Sequence, residues 1–227
     1  IDMIKQFSEN PKWSNDQLKI LKSEPNIIIS GCAGSGKTLL ACYLAKKYAI
    51  NYKTAILTYT KSLRTFISDF LSKMGIENVS VLYKAQWDKK IFQEHDIIIV
   101  DEFQDFSIND IQTVIRCAKI GVYFFGDSEQ RIYLTNTDDE STVELNKIIE
   151  YTGFKHFNLK DNFRISVENM EFIHTLYKSN SLDNSFFNSG YKPKILQFEN
   201  TIDELNWLKD FLVCNNEFKN IGILLKQ

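Results

Sequence analysis

Apolar runs alternate with helical patterns along the first part of the chain. Five runs rich in β-branched or aromatic residues have the length and composition of buried strands. They occupy residues 26–30, 54–58, 79–82, 97–100 and 121–125. The segments between them repeat apolar residues at helical spacing, as between Leu63 and Met74, where Gly75 predicts the helix end. Strands that alternate with helices predict an α/β fold, with a parallel sheet and helices on both faces.

The last third of the chain has fewer signals. Ser166 is placed as the N-cap of a helix, and Thr201 with Glu204 forms a capping-box pattern for another one. Residues 194–198 and 221–225 have the composition of strands. Regular structure is therefore expected to continue beyond the first set of strands, which favours a second domain.

Composition limits the class of protein. The chain has 227 residues, 44% of them hydrophobic and 25% charged, as in globular proteins with a core. No apolar run approaches the roughly 18 residues of a membrane span, and no signal-peptide pattern opens the chain. The four cysteines lack C-x-x-C spacing, which favours reduced thiols and a cytoplasmic location. The net charge of −2 indicates no global nucleic-acid footprint and leaves a local basic groove open.

A glycine-rich segment follows the first predicted strand and precedes a predicted helix. It matches the phosphate-binding pattern G-x-x-x-x-G-K-[ST] and consists of Gly31, Cys32, Ala33, Gly34, Ser35, Gly36, Lys37 and Thr38. Its glycines let backbone N–H groups point inward at the β- and γ-phosphates of a nucleotide, beside a helix N-terminus. Lys37 would place its charge on the phosphates, and the Thr38 hydroxyl would bind Mg²⁺. The alternative, a chance match, is disfavoured by the strand and helix on either side.

Polar residues follow several of the other predicted strands. Asp101 and Glu102 end an apolar strand, so Asp101 would bind Mg²⁺ while Glu102 orients and deprotonates the attacking water. Gln130 could report on the γ-phosphate, and Arg164 is a candidate arginine finger. Each of these two, taken alone, is also compatible with a solvated loop residue. Because parallel strands end at one edge of a sheet, we expect a composite site there.

Taken together, the motifs resemble those of the UvrD-like family of superfamily 1 DNA helicases. The shared strings are the P-loop, D-E-F-Q-D at 101–105, G-D-x-x-Q-x-I-Y at 126–133, the motif Ia segment 57–63, and Asn-Phe-Arg at 162–164. The resemblance implies a RecA-like P-loop NTPase fold that binds ATP and Mg²⁺ and contacts single-stranded nucleic acid, with DNA favoured. It also implies a motor domain over residues 1–164 and part of a second RecA-like domain over residues 165–227.

The same resemblance assigns roles that the residues alone leave open. Gln17 has the spacing of an adenine-reading side chain, and Phe163 that of a ring stacking on adenine. Gln130 takes the position of the coupling residue. Tyr59 corresponds to a base-stacking aromatic, where stacking is worth about 1–3 kcal/mol per base. Thr58 and Lys61 beside it are further candidate nucleic-acid contacts.

Three departures from the family pattern leave two functions open. The separation of Thr60 from Asp101 is too short for the usual accessory subdomain, residues 134–136 lack W-R-G, and the sequence stops before motifs V and VI. The first hypothesis is an ATP hydrolase that moves on or unwinds DNA, although this fragment alone would hardly hydrolyse ATP. The second is a nucleotide-gated switch coupled to a partner or fused effector. A small-molecule P-loop kinase is disfavoured, because it has no use for D-E-F-Q-D.

Overall fold

The computed structural model describes residues 11–89, 93–127, 145–177, 184–185, 190–215, 221 and 223. The chain divides into two compact units, Ile1–Gly190 and Tyr191–Gln227.

A parallel sheet organises the first unit. Its strands are β1 (Ile27–Gly31), β2 (Thr54–Thr58), β3 (Val79–Tyr83), β4 (His95–Val100), β5 (Ala118–Gly126) and β6 (Lys155–Leu159). In the described part of the chain the order across the sheet is β3-β2-β4-β5-β1-β6, and every neighbouring pair is parallel. Two short strands, β7 (Asp161–Asn162) and β8 (Asn184–Ser185), pair separately. The order places the end of β5 between the ends of β1 and β4.

Helices cover both faces of this sheet. One face packs against α1 (Asn15–Lys22), α2 (Lys37–Tyr48) and α3 (Lys61–Lys73), and the other against α4 (Lys84–Lys89), α5 (Ile108–Cys117) and α6 (Leu145–Thr152). A further helix, α7 (Val167–Tyr177), follows β7. Along β1, Ile27 and Ile29 join one core and Ile28 joins the other. Burial on both faces explains why the strands are apolar without alternation, and the predicted α/β fold is confirmed.

Capping signals in the sequence coincide with several helix boundaries, and the helix end predicted at Gly75 is confirmed. Ser107 and Asp110 form a complete capping box at the start of α5. Gly75 follows α3 in the left-handed region, with φ of 69°. Ser14 caps α1, where Gln17 supplies the returning side chain of a second capping box. These local signals determine where the three helices start or end.

The sequence patterns missed helices α4 and α6 and strands β6, β7 and β8. Strand β6 was not predicted, because it exposes Lys155, His156 and Asn158 and lacks the apolar run of the inner strands. Ala118 continues the apolar helical spacing of α5 but begins β5. Strand β6 pairs only with β1 among the described strands, so its other edge has no strand neighbour and its side chains are less covered than those of the inner strands.

The second unit contains helix α8 (Thr201–Cys214), which has no buried residue. Its N-cap is Asn200, whose Oδ1 accepts the Asp203 N–H at 3.0 Å, so the expected cap at Thr201 is wrong by one residue. The expected strand at 194–198 is also wrong, since this segment has no ladder partner in the described chain. The strand predicted at 221–225 falls mostly outside the described residues. A second RecA-like domain over residues 165–227 stays a prediction.

None of the helices in the described parts of the chain combines the length and apolar character needed to cross a membrane.

Candidate nucleotide site at the carboxyl edge of the sheet

The glycine-rich segment forms a tight turn between β1 and α2. Gly34 and Gly36 have φ of 84° and 89°, in the left-handed region where a Cβ is strained. Gly36 is also the N-cap of α2 and, as a glycine, has no side chain to occupy the helix N-terminus. The first turn of α2 therefore points its N–H groups and its positive dipole end toward the loop, as an anion site requires.

The two side chains that begin α2 lie where the motif predicts. Lys37 is 6% exposed, and its Nζ donates to the carbonyl oxygens of Gly31 at 2.7 Å and Cys32 at 3.1 Å. Its charge is thereby held along the inside of the loop. The Thr38 hydroxyl donates to Asp101 Oδ2 at 2.8 Å, which joins the P-loop to the end of β4.

Asp101 is fully buried at this junction. Burial raises the pKa of its carboxyl to about 7, and the adjacent charge of Glu102 acts in the same direction. Its second oxygen, Oδ1, is buried without a hydrogen-bond partner. A carboxylate oxygen with spare coordination capacity beside a threonine hydroxyl fits Mg²⁺, which prefers oxygen ligands. Asp101 and Thr38 are thus the side chains that would hold the ion.

Glu102 has an unusual backbone. Its φ and ψ are 58° and 53°, which places a non-glycine residue in the left-handed region, a conformation that costs energy and occurs at functional sites. The Gln104 Nε2 donates to its Oε2 at 2.9 Å. Gln104 Oε1 in turn accepts the Asp127 N–H at 3.0 Å, just after β5. Gln104 lies inside the D-E-F-Q-D string, but no role was predicted for it from the sequence.

A second segment crosses the P-loop. We call residues 162–164 the strap. Asn162 is fully buried; its Nδ2 donates to Ala33 O at 2.7 Å, and its Oδ1 accepts the Arg164 and Ile165 N–H groups at 2.9 and 2.8 Å. The Phe163 N–H donates to Gly34 O at 2.8 Å.

The strap also explains why residue 34 is a glycine. A Cβ at Gly34 would lie 2.6 Å from Arg164 Cβ and 2.7 Å from Asn162 Oδ1. Gly34 is therefore required by the close approach of the strap as well as by its φ. Asn162 entered the sequence-based prediction only as part of a family string, and its contact with the P-loop was not predicted.

A cavity of about 590 Å³ lies between these elements. Its lining includes the predicted residues Gln17, Ala33, Gly34, Gly36, Lys37, Thr38, Glu102, Phe163 and Arg164. Aromatic side chains of Trp13, Phe66 and Phe70 add apolar walls. The volume and the mixture of apolar walls with a few polar groups are typical of a small-molecule site.

Gln17 is held against the P-loop. It is 3% exposed; its Nε2 donates to Ser35 O at 3.0 Å, and its Oε1 accepts the Ser14 N–H at 2.9 Å. Gln17 is therefore a buried residue in contact with the P-loop and not a solvated helix residue. Its adenine-reading role stays a prediction.

The predicted nucleic-acid contacts lie outside the cavity lining. Thr58 is fully buried and its hydroxyl donates to Thr60 O at 3.1 Å. Its side chain therefore stabilises the loop and is not accessible to a nucleic acid. The Tyr59 ring packs edge-on against Phe106, with centroids 5.5 Å apart. Lys61 is exposed at the start of α3. The role predicted for Gln130 falls outside the described residues.

A protein-family comparison identifies the region that holds this site. The AAA domain family model, AAA_22, matches residues 20–134, just over half of the chain. The chain belongs to the AAA domain family. The match covers the P-loop, both acidic residues and Gln104, while the strap lies beyond it. No curated protein sequence matches this AAA domain.

Solved structures share the fold at low sequence identity. Bacteroides Pif1 bound to ssDNA superposes with a TM-score of 0.52 and 20% identity, covering 88% of this chain and 50% of that one. A structure of two coordinating Pif1 helicases at forked dsDNA has a TM-score of 0.50 and 18% identity, and the match covers 74% of this chain and 48% of that one. The chain thus spans about half the length of these helicases. This AAA domain has the RecA-like P-loop fold that they share.

Proposed function

We propose that this AAA domain is the ATP-binding motor domain of a UvrD-like superfamily 1 helicase or translocase. In this proposal it hydrolyses ATP with Mg²⁺ to move on single-stranded DNA or to unwind DNA. The observation that carries the proposal is the hydrogen bond between Thr38 and Asp101 beside a cavity that Thr38 lines together with Phe163 and Arg164 of the strap. The nucleotide would bind in this cavity.

Each polar residue then has a distinct task in ATP hydrolysis. Lys37 and the N–H groups of the P-loop bind the phosphates, and Glu102 orients a water and accepts its proton. Bound Mg²⁺ would neutralise negative charge on the β- and γ-phosphate oxygens. Arg164 is exposed on the cavity wall and supplies a second positive charge for the transferring phosphoryl group.

Single-stranded DNA is the proposed partner because of two residues that follow β2 and one structural relative. Tyr59 and Lys61 follow β2 and combine an aromatic ring with a positive charge, which suits stacking on a base beside a phosphate. The Bacteroides Pif1 of the same fold is bound to ssDNA. A cytoplasmic location belongs to the same proposal.

A second function is a nucleotide-gated switch that acts on a partner or fused effector protein. The observation in its favour is the direct succession of β3, α4 and β4, with no added subdomain among the residues described there. Together with the net charge of −2, this arrangement offers less surface for a nucleic-acid strand. The ATP site would be the same in both functions.

The deciding experiment measures ATP turnover of the full-length protein with and without single-stranded DNA. Lys37→Ala should abolish turnover, while Lys19→Ala, which removes an exposed lysine on α1, should leave it unchanged. Strong stimulation by DNA supports the motor. Turnover that depends on Lys37 but not on DNA supports the switch, and turnover that survives Lys37→Ala contradicts both.

Salt dependence of DNA binding gives an independent check. A motor that contacts phosphates should lose affinity steeply as salt rises, because bound cations are displaced from the nucleic acid on binding. Absent or salt-insensitive binding favours the switch.

A further inference from the structure

The structure assigns a role to Gln104 that the motif comparison leaves open. We propose that Gln104 is a positioning residue. Its side-chain amide links the Glu102 carboxylate to the main chain at the end of β5 and thereby orients the carboxylate toward the attacking water. The inference deepens the proposed function and rests on it, since it needs Glu102 to be the base of ATP hydrolysis.

Glu102 needs support of this kind. Its backbone adopts the left-handed region, and its side chain is only partly buried on the cavity wall. A partly exposed glutamate can sample several rotamers, and holding one of them costs conformational entropy. The Gln104 donor, 2.9 Å from Oε2, selects one orientation of the carboxylate.

The orientation of the Gln104 amide is itself determined by chemistry. The Asp127 main-chain N–H can only donate, so the atom that faces it at 3.0 Å must be the amide oxygen. The amide nitrogen then faces Glu102, whose ionised carboxylate can only accept. Because Gln104 is 5% exposed, bulk water has little access to its amide. The two bonds therefore form one connection from β5 to the base.

The end of β5 is shaped to receive this side chain. A Cβ at Gly126 would lie 2.5 Å from Gln104 Oε1 and 2.6 Å from Phe103 Cδ1. The φ of Gly126 is not in the left-handed region, so the glycine serves close approach and not a turn. Any larger residue at 126 has to displace Gln104, Phe103 or both.

Small displacements of a general base are costly. A base acts only within hydrogen-bond reach of the proton it removes, and errors near 1 Å reduce rates about a hundredfold. Removing the Gln104 bond should therefore lower kcat about 10- to 100-fold. Nucleotide affinity should hold, because Gln104 is not part of the cavity lining and the P-loop contacts are intact.

The strand β5 offers a matched control away from the site. Asn26 Oδ1 accepts the Val122 N–H at 3.1 Å, and a Cβ at Gly121 would lie 2.7 Å from that oxygen. An amide and a glycine thus meet twice along β5, at Gly126 beside the site and at Gly121 in the middle of the strand. Asn26→Gly, which suits the left-handed φ of 70° at that residue, and Gly121→Ala are the control variants.

The test compares steady-state ATP hydrolysis by the full-length protein carrying Gln104→Met, Gln104→Glu or the controls. Gln104→Met keeps the side-chain volume and removes both bonds. Gln104→Glu keeps an acceptor for Asp127 and removes the donor to Glu102. Both should lower kcat about 10- to 100-fold with the KM for ATP changed less than about threefold, whereas the controls should change neither.

A double variant tests whether Gln104 and Gly126 act together. Gly126→Ala should lower kcat on its own, but its effect in the Gln104→Met background should be much smaller than in the wild type. Independent, multiplying effects on kcat would overturn the proposal. So would a Gln104→Glu variant, or a folded Gln104→Met variant, that keeps the wild-type kcat or loses no more of it than Asn26→Gly does.

Failure of the proposed function is recognised separately. If Lys37→Ala leaves ATP turnover intact, the site does not hydrolyse ATP, and if only Glu102→Gln leaves it intact, Glu102 is not the base, whatever the Gln104 variants do. If both abolish turnover and Gln104 proves dispensable, the proposed function stands and the role of Gln104 is wrong.

Discussion

Replacing Asn162 should loosen the strap from the P-loop. Asn162→Ala removes three hydrogen bonds with main-chain groups at once, one to Ala33 O and two from the N–H groups of Arg164 and Ile165, together with a weak bond from Nδ2 to Cys32 Sγ at 3.7 Å. Each bond is worth about 0.5–1.5 kcal/mol, so the free energy of unfolding should fall by about 2–4 kcal/mol. Because Asn162 is fully buried, its removal can leave Ala33 O without a donor. In that case the loss should lie in the upper half of the range.

Urea unfolding of the first unit measures this loss directly. The chain has three tryptophans, and Trp207→Phe leaves Trp13 and Trp87, both in the first unit, as the fluorescent reporters. The midpoint should fall with an unchanged m-value, because the surface exposed on unfolding is the same. The KM for ATP should rise about tenfold, equal to about 1.4 kcal/mol, as Phe163 and Arg164 lose their anchor.

A second asparagine provides the control. Asn78 is exposed and its Nδ2 donates to Ala49 O, so Asn78→Ala removes a single bond that water can replace. Its cost should stay below about 1 kcal/mol. If Asn162→Ala costs no more than Asn78→Ala, or leaves the KM for ATP unchanged, the strap does not hold the nucleotide wall and the reasoning fails.

Three further predictions concern the site. Glu102→Gln should abolish steady-state ATP turnover while a fluorescent ATP analogue still binds; unchanged turnover would contradict the role of Glu102. The pKa of Asp101 is raised from 3.8 to about 7, so the folded state binds this proton more tightly than the unfolded chain does. The free energy of unfolding of the metal-free protein should therefore fall as pH rises from about 4 to 7. Asp101→Asn should make the urea midpoint, measured with EDTA present, less dependent on pH. Parallel pH profiles of the midpoint in variant and wild type would contradict this prediction. Tyr59→Ala should weaken single-stranded DNA binding by about 1–3 kcal/mol in fluorescence anisotropy, with Tyr52→Ala as an exposed control on the opposite edge of the sheet.

The inner sheet and the phosphate loop were predictable because their signals are local. Strands buried on both faces must be continuously apolar, and a P-loop needs its glycines, lysine and threonine at fixed spacing. The pairing of Thr38 with Asp101 followed from the rule that parallel strands end at one edge. Residue type and spacing alone therefore suffice to assign these positions.

Gln104 and Asn162 were missed because their partners are distant in sequence. The bond from Asp127 to Gln104 spans 23 residues, and the bond from Asn162 to Ala33 spans 129. A buried amide that joins two segments has the same composition signal as a solvated one. Strand β6 was missed for a related reason, since its pairing with β1 is visible only in the folded sheet.

The backbone at Glu102 has an evolutionary consequence. A glutamate in the left-handed region costs about 1 kcal/mol or more, and glycine or asparagine tolerates that region better. The fold, left to drift, would therefore gain stability by exchanging this residue. Only selection on turnover opposes the exchange, so a lineage that abandons hydrolysis should lose the glutamate early while its sheet and phosphate loop persist.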